Sequence, residues 1–332
     1  MSVPDFFNAS AFSMVSLTAA VRKAPYVPGL LGRMGIFDTK PIDTDTVVID
    51  FENDSLSILT STHRGGPAQQ GARAERKSAA FQVPRFILEK EIPAADLIGR
   101  RRLGSENQTE LLTERVAKEI NRQRLAHETT LEYMRCGAIK GVIADAAGTI
   151  HDVYSTLGIS APSAVDLQVD DDAVAIGAAL VAIAQDMRDA VGNIEIEIHA
   201  LCGRDFWRLF TNHPEVMYAF QYWQDGEFLR TDPRAGFSYK GITFHEYRGV
   251  IGSKTFIPNQ DCRFFPVPIS PGTELYQTAY APADYIETVG TLGEPVYARQ
   301  EAVNMGRGMR VQTQSASLPI CTRPEALFRG YY

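Results

Sequence analysis

The sequence lacks any apolar run long enough to cross a membrane. The longest, Val174–Ala184, has about half of the roughly 20 residues that a spanning helix needs, and Asp186 follows it. Residues 1–12 also lack the basic start and the continuous apolar core of a secretory signal. We therefore expect a protein that is not secreted and has no membrane partner.

Cysteine is scarce and widely spaced. Cys136, Cys202, Cys262 and Cys321 are each followed by the next after about 60 residues, and no two have the spacing of a metal-binding pair. Disulfides are typical of secreted proteins, and nothing here indicates secretion. We predict four reduced thiols in the core of a protein that assembles in a reducing cytoplasm.

Basic residues do not exceed acidic ones. The 332 residues include 33 Lys and Arg against 40 Asp and Glu, which gives a net charge of -7. A dedicated DNA-binding protein carries a basic stripe or face, because its affinity depends on the number of phosphates that Lys and Arg neutralise. We therefore expect no specific nucleic-acid binding.

Motifs that carry catalysis are missing as well. None of the six histidines lies in a zinc-protease pattern, and there is no nucleophile elbow, no phosphate-binding loop and no Cys-x-x-Cys pair. Three successive aspartates, Asp170–Asp172, are interpreted as acids at a helix N-terminus and not as metal ligands. We predict no catalytic residue, no cofactor and no metal site, although a triad assembled in space stays open.

The sequence does have the composition of a globular protein, with 45% hydrophobic and 22% charged residues, and its length favours two domains. Its most unusual segment is the polar stretch Ser61–Val83, which leaves one predicted strand and returns into another. A loop of about 20 residues without structure is rare in a compact domain unless it is functional or disordered. Since it has no apolar core, we predict that it contacts a neighbouring subunit. The basic residues predicted to meet acids there are Arg64, Arg73, Arg76 and Lys77.

Residues 1–40 are predicted to form an arm, because their apolar residues are scattered among Pro and Gly without a sustained period. We expect residues 1–35 to lie along an adjacent subunit. Two strands, Thr46–Phe51 and Ser55–Thr60, are predicted to pair around the turn between them. Further strands are predicted at Phe81–Leu88, Ile194–Leu201, Tyr239–Tyr247, Arg263–Ile269 and Met309–Gln314, with a hairpin over Ala138–Tyr154 and helices at Ala173–Val191 and Asp205–Phe210.

The clearest helix follows a capping box formed by Ser105 and Gln108, and Gly137 is predicted to end it. It has about 30 residues and is therefore roughly 45 Å long. Its apolar stripe is narrow and the rest of its surface is polar. We expect a rod that lies across other elements with most of its surface exposed.

Several fragments, in this order, give the sequence a resemblance to a known family: Phe37 with Thr44–Asp50, Arg64–Pro67, Phe81–Pro84, Leu131–Gly141, His213–Val216, Gly241–Gly249, Tyr276–Tyr285 and Gln314–Pro319. They resemble the major capsid proteins of tailed phages, in the branch of phage lambda capsid protein E. The resemblance covers essentially the whole length.

The resemblance implies an α+β fold of the Hong Kong 97 type. Its parts are an N-terminal arm, an extended hairpin called the E-loop, a peripheral domain built on a long spine helix, and an axial domain. On this mapping the E-loop is Ser57–Leu88 and the spine helix is Asn107–Cys136. The expected domains are an arm at 1–40, an E-loop region at 41–95, a peripheral domain at 96–160 with 285–332, and an axial domain at 161–284.

The implied function is that of the major capsid protein of a double-stranded DNA phage, whose copies form hexamers and pentamers of an icosahedral shell. The expected partners are other copies of the chain, a separate scaffolding protein and a portal, with a decoration protein left open. A fused scaffold is not expected, because no charged helical segment precedes the arm. The expected location is the virion capsid, assembled in the bacterial host cytoplasm. An encapsulin-type compartment shell and an uncharacterised enzyme are the alternatives.

Overall fold

The computed structural model describes residues 29–53, 75–96, 112–192, 194–222, 236–251, 254–270 and 273–332. The helices in these ranges are α1 (Leu30–Met34), α2 (Leu112–Lys140), α3 (Val153–Leu157), α4 (Ile176–Val191), α5 (Arg204–Asn212) and α6 (Pro214–Tyr222). Short 3-10 turns lie at Ala94–Asp96, Ile286–Thr288, Asn304–Gly306 and Pro324–Ala326.

The strands of the same ranges are β1 (Asp38–Pro41), β2 (Thr46–Asn53), β3 (Glu75–Gln82), β4 (Arg85–Pro93), β5 (Val142–Ala144), β6 (Thr149–Asp152), β7 (Val165–Asp166), β8 (Ile196–Cys202), β9 (Phe237–Tyr239), β10 (Ile242–Glu246), β11 (Val250–Ile251), β12 (Lys254–Thr255), β13 (Asp261–Pro268), β14 (Tyr276–Tyr280), β15 (Tyr297–Ala302), β16 (Gly308–Cys321) and β17 (Phe328–Tyr331). The mixture of long helices and mainly antiparallel strands agrees with the predicted α+β class.

The first sheet is built around strand β16. Its order among the described residues is β1-β14-β16-β15, and β4 also pairs with β16. Strand β16 pairs with β4 over Gly308–Ala316 and then with β14 over Ser317–Cys321. Helix α2 packs against β16, and Met134 and Ile139 of this helix join the same buried core as Leu318 and Ile320.

The second sheet has the order β7-β17-β13-β8-β10-β9. Its core is rich in aromatic rings from the sheet and from α5, with α4 contributing aliphatic side chains. Phe210 of α5 lies with its ring centroid 4.3 Å from that of Phe244 in β10. We call the first sheet with α2 the first unit, and the second sheet with α4 and α5 the second unit. Leu201 of β8 and Phe265 of β13 lie in the core of the first unit, so the two units are packed together there.

One predicted strand differs from the structure, and another lies outside the described residues. Strand β2 pairs with β3, and the predicted strand Ser55–Thr60 lies outside the described residues. Strand β3 begins with charged residues, which is why hydrophobic alternation did not indicate it. Strand β16 extends from Gly308 to Cys321, well beyond the predicted Gln314, because Ser317–Cys321 pair with β14 inside the first sheet.

Helix α2 continues through the predicted stop at Gly137 to Lys140. A Cβ at position 137 would lie 2.9 Å from the carbonyl oxygen of Val142, so this glycine allows the β5–β6 hairpin to pack against the helix. Gly141, with a φ of +76°, provides the left-handed conformation that ends the helix. The prediction mistook a packing glycine for a terminating one.

Three segments lie in a different unit from the one expected. Leu30–Met34 forms a helix and Asp38–Pro41 pairs in parallel with β14, so the predicted arm at 1–40 includes residues of the first unit. Tyr276–Tyr280 belongs to the first sheet, although it was expected in the axial domain. Conversely, Phe328–Tyr331 pairs with β13 in the second sheet.

All four cysteines are free and buried, as predicted. Cys202 and Cys262 face each other across β8 and β13, with 3.5 Å between their Sγ atoms. Burial raises the pKa of Cys136 and Cys321 to about 12 and also raises that of Cys262. The reactive thiolate form is therefore disfavoured in the folded chain.

We expect Ellman's reagent to label none of the four thiols of the native subunit quickly and all four after unfolding in guanidinium chloride. The physical reason is that the reagent needs an accessible thiolate. The measurement is the time course of absorbance with and without denaturant. Fast labelling of one thiol in the native subunit would show that it lies at the surface.

Candidate functional site

Strands β2 and β3 form an antiparallel hairpin; the predicted E-loop, Ser57–Leu88, follows β2 in sequence and includes β3. Strands β2 and β3 have eight residues each and pair in register from Thr46 opposite Gln82 to Asn53 opposite Glu75. At about 3.3 Å per residue, this ribbon is roughly 26 Å long. Residues 54–74, which join the two strands, lie outside the described residues.

The root of the hairpin is fixed in the core of the first unit. Val47 and Phe81 are buried in that core, whereas Val48, the next residue of β2, is 61% exposed. The Phe81 ring packs edge-on against His151 of β6, and Nε2 of His151 lies 2.7 Å from the carbonyl oxygen of Gln82. These contacts hold the base of the ribbon and therefore set its direction.

Two of the four predicted contact residues lie in strand β3. In its register Arg76 is opposite Glu52 and Lys77 is opposite Phe51, at the end of the ribbon far from its root. Arg64 and Arg73 lie outside the described residues. The contact of all four with acids of a neighbouring subunit stays a prediction.

Helix α2 buries a polar face that was expected to be exposed. The buried polar residues on this helix are Glu119, Gln123, Arg124, His127 and Glu132. Their partners include Thr313 in β16, whose Oγ1 donates to Oε1 of Gln123 at 2.8 Å and lies 3.0 Å from Nε2 of His127. Burial lowers the pKa of His127 to about 4, so its ring is neutral at pH 7. A hydroxyl has one hydrogen, and His127 is therefore the donor to Thr313.

One buried carboxylate joins three distant segments. Glu132, 4% exposed, accepts hydrogen bonds from the backbone N–H of Leu31 at 2.8 Å and of Gly32 at 3.1 Å. The hydroxyl of Tyr247 donates to the same carboxylate at 3.2 Å. Helix α1 has no capping side chain of its own, so Glu132 satisfies two of the N–H groups that a helix start leaves open. A Cβ at Gly29 would overlap the Glu132 side chain, which explains the glycine there.

Two histidines lie side by side in the second sheet. Nδ1 of His199 lies 2.9 Å from Nε2 of His245 in adjacent strands of the second sheet, and burial lowers the pKa of His245 to about 4. Within the described ranges, no three His, Cys, Asp or Glu residues are grouped so that they could hold a metal ion. None of the helices described is both long and apolar enough to cross a membrane.

Comparison with known proteins finds one family over nearly the whole chain. Residues 13–331 match the family described as phage major capsid protein E. The chain is 26% identical to the major capsid protein of Salmonella phage Felix O1, with 96% of this chain and 95% of that protein covered. It is 25% identical to the major capsid protein of Pseudomonas phage KPP10, with 96% of each covered.

A solved structure shows the same fold. The capsid structure of cyanophage P-SCSP1u matches with a TM-score of 0.56 at 10% identity, and covers 93% of this chain and 89% of that one. At this identity the similarity concerns the fold alone. The predicted fold of the Hong Kong 97 type is confirmed.

We expect Glu132→Gln to lower the free energy of unfolding by roughly 1–3 kcal/mol, because the amide offers one acceptor oxygen and turns an NH2 group toward N–H donors. The measurement is urea unfolding of the unassembled subunit. The matched control is Glu128→Gln, one turn earlier on α2. Glu128 accepts from the Arg124 guanidinium one turn away on the same helix, and such a pair contributes less than contacts that join separate segments, so the control should lose less stability. Equal losses would contradict this role for Glu132.

Proposed function

Because the chain belongs to the phage major capsid protein E family, it is a major capsid protein of a tailed phage, and we propose that its copies form the hexamers and pentamers of an icosahedral shell around the genome. The family is structural, and the chain is not an enzyme. The comparisons also support this function over a cargo compartment.

We propose that the unit of the first sheet and α2 is the peripheral domain and that the unit of the second sheet is the axial domain. The observation that carries the assembly proposal is the β2–β3 ribbon. Among the described residues its strands pair only with each other, and its root is fixed by Val47 and Phe81. A ribbon anchored at its base can reach past the surface of its own subunit, which suits contact with a neighbour.

The basic residues of the E-loop are proposed to meet acids of the neighbouring subunit. Glu75 is the only acidic residue in the loop that contains Arg64, Arg73, Arg76 and Lys77. An exposed ion pair contributes only about 0–1 kcal/mol. A closed symmetric assembly repeats the same contact at every subunit, so small contributions add up.

We expect the triple variant Arg73→Glu, Arg76→Glu, Lys77→Glu to raise the critical concentration for assembly by roughly tenfold or more. Its thermal unfolding as an unassembled subunit should change little, because within the hairpin only Arg76 lies opposite an acid, Glu52, and such a cross-strand pair contributes about 1 kcal/mol or less. The matched control Arg73→Lys, Arg76→Lys, Lys77→Arg keeps every charge and should assemble almost normally. Sedimentation velocity measures the assembly of both variants. Normal shells from the charge-reversed variant would refute the proposed contact.

The virion capsid is the location of the assembled protein. We propose assembly in the bacterial host cytoplasm, with a separate scaffolding protein and a portal as partners. The buried free thiols suit a reducing compartment. Co-expression with candidate scaffolding and portal proteins, followed by electron microscopy of the particles, tests these partners.

The shell is proposed to enclose DNA without binding it specifically, with an inner surface close to neutral or acidic. With a net charge of -7, acidic residues outnumber Lys and Arg, which disfavours a basic face that could neutralise many phosphates. We expect capsomers to show no micromolar binding in a filter-binding titration at about 0.15 M salt. Micromolar or tighter binding with a steep salt dependence would show that the shell grips its genome.

A further inference from the structure

Residues 285–292, here called the 285–292 segment, expose three large apolar side chains close together in sequence. Ile286 is 94% exposed, Val289 81% and Leu292 62%. Single exposed apolar residues are normal on a protein surface, whereas clustered ones mark contact sites. Three such side chains within seven residues therefore require an explanation.

The segment is held rigidly by its own buried residues. Thr288 is buried, and its hydroxyl lies within 2.9 Å of the carbonyl oxygen of Tyr285. The Tyr285 hydroxyl donates to Gln312 in β16 at 2.9 Å. At the other end, the backbone N–H of Gly293 donates to the carbonyl oxygen of Ile42 at 2.9 Å. The exposed side chains are therefore presented on a fixed backbone, which lowers the entropy lost when they are covered.

Charged side chains lie beside the exposed apolar ones. Ile286 begins a 3-10 turn that ends at Thr288, and Val289 directly follows this turn in an extended conformation. An exposed ion pair joins Glu287 to Arg299 at 3.6 Å. An apolar centre with a polar rim is the usual arrangement of a protein–protein interface.

The segment lies beside the root of the E-loop. Asp284, directly before it, forms an ion pair with Arg85 at the start of β4. Strand β4 follows β3 after two residues, so this ion pair places the segment next to the ribbon that is proposed to reach a neighbour. The apolar cluster thus lies near the base of the ribbon, whereas Arg76 and Lys77, which are proposed to meet a neighbour, lie toward its far end.

We propose that the 285–292 segment is a contact surface that a second copy of this chain covers in the shell. The inference rests on the proposed self-assembly and names one surface that assembly would use. A second copy is the partner that the observations favour, since the family forms capsids and the segment adjoins the E-loop root.

The test is the double variant Ile286→Ser, Val289→Ser. Its unassembled subunit should unfold at the wild-type temperature, because both side chains are exposed in it. Its critical concentration for assembly, measured by light scattering, should rise at least tenfold. The matched control is Glu287→Gln, which changes the same turn, keeps the apolar side chains and should assemble like the wild type.

The outcomes separate this inference from the proposed function. If the wild-type chain forms no shells under any condition, the proposed function itself fails. If the wild type assembles and the double variant assembles equally well, only the inference about this surface is overturned, and a different partner must cover it.

A cross-linking experiment identifies the occupant directly. The four native cysteines are buried, so Ile286→Cys provides an accessible thiol for a photoreactive maleimide. Irradiated shells should yield a band of two linked chains, with the label attached to a second copy. Cross-links only within one chain would contradict the proposal.

Discussion

The buried carboxylate of Glu132 is the contact on which the first unit depends. It holds the N–H groups of α1 and the hydroxyl of Tyr247, which lie 101 and 115 residues away in sequence. A charged group is stable in the interior only when it is hydrogen-bonded, so these segments must be in place together. Because α1 is docked in this way, the end of the predicted arm is folded onto its own subunit before assembly begins.

The same physics acts along the rest of α2. Apolar burial is not directional, so it specifies the position of a helix on a 14-residue strand less strictly than hydrogen bonds do. Gln123 and His127 meet Thr313 at one position, and any shift would leave buried polar groups without partners. We infer that the polar face sets the register between α2 and β16. This explains why a narrow apolar stripe is sufficient for a helix that is well buried.

Structural features that depend on residues close together in sequence could be predicted, whereas features that depend on distant residues could not. The long helix, the β5–β6 hairpin and the helix at Asp205–Phe210 follow from local periodicity and turn residues, and they were predicted. The length of β16 was not, because Ser315 is polar in sequence and becomes a core residue only through its bond to the carbonyl oxygen of Pro295. The overall fold came from ordered fragments that resemble a family, since pairing of β2 with β3 across 54–74 has no local signal.

The contacts inside the subunit and those proposed between subunits differ in kind. Buried hydrogen bonds such as those of Glu132 are specific and cannot be exchanged without exposing or orphaning a polar group. The surfaces proposed to meet neighbours consist of exposed charges and a few apolar side chains, each of small energy. A subunit that is rigid inside and weakly adhesive outside can leave a wrong position in a growing shell without unfolding. When the shell closes, every subunit is held by several weak contacts at once, so it dissociates far less readily than any one contact would suggest.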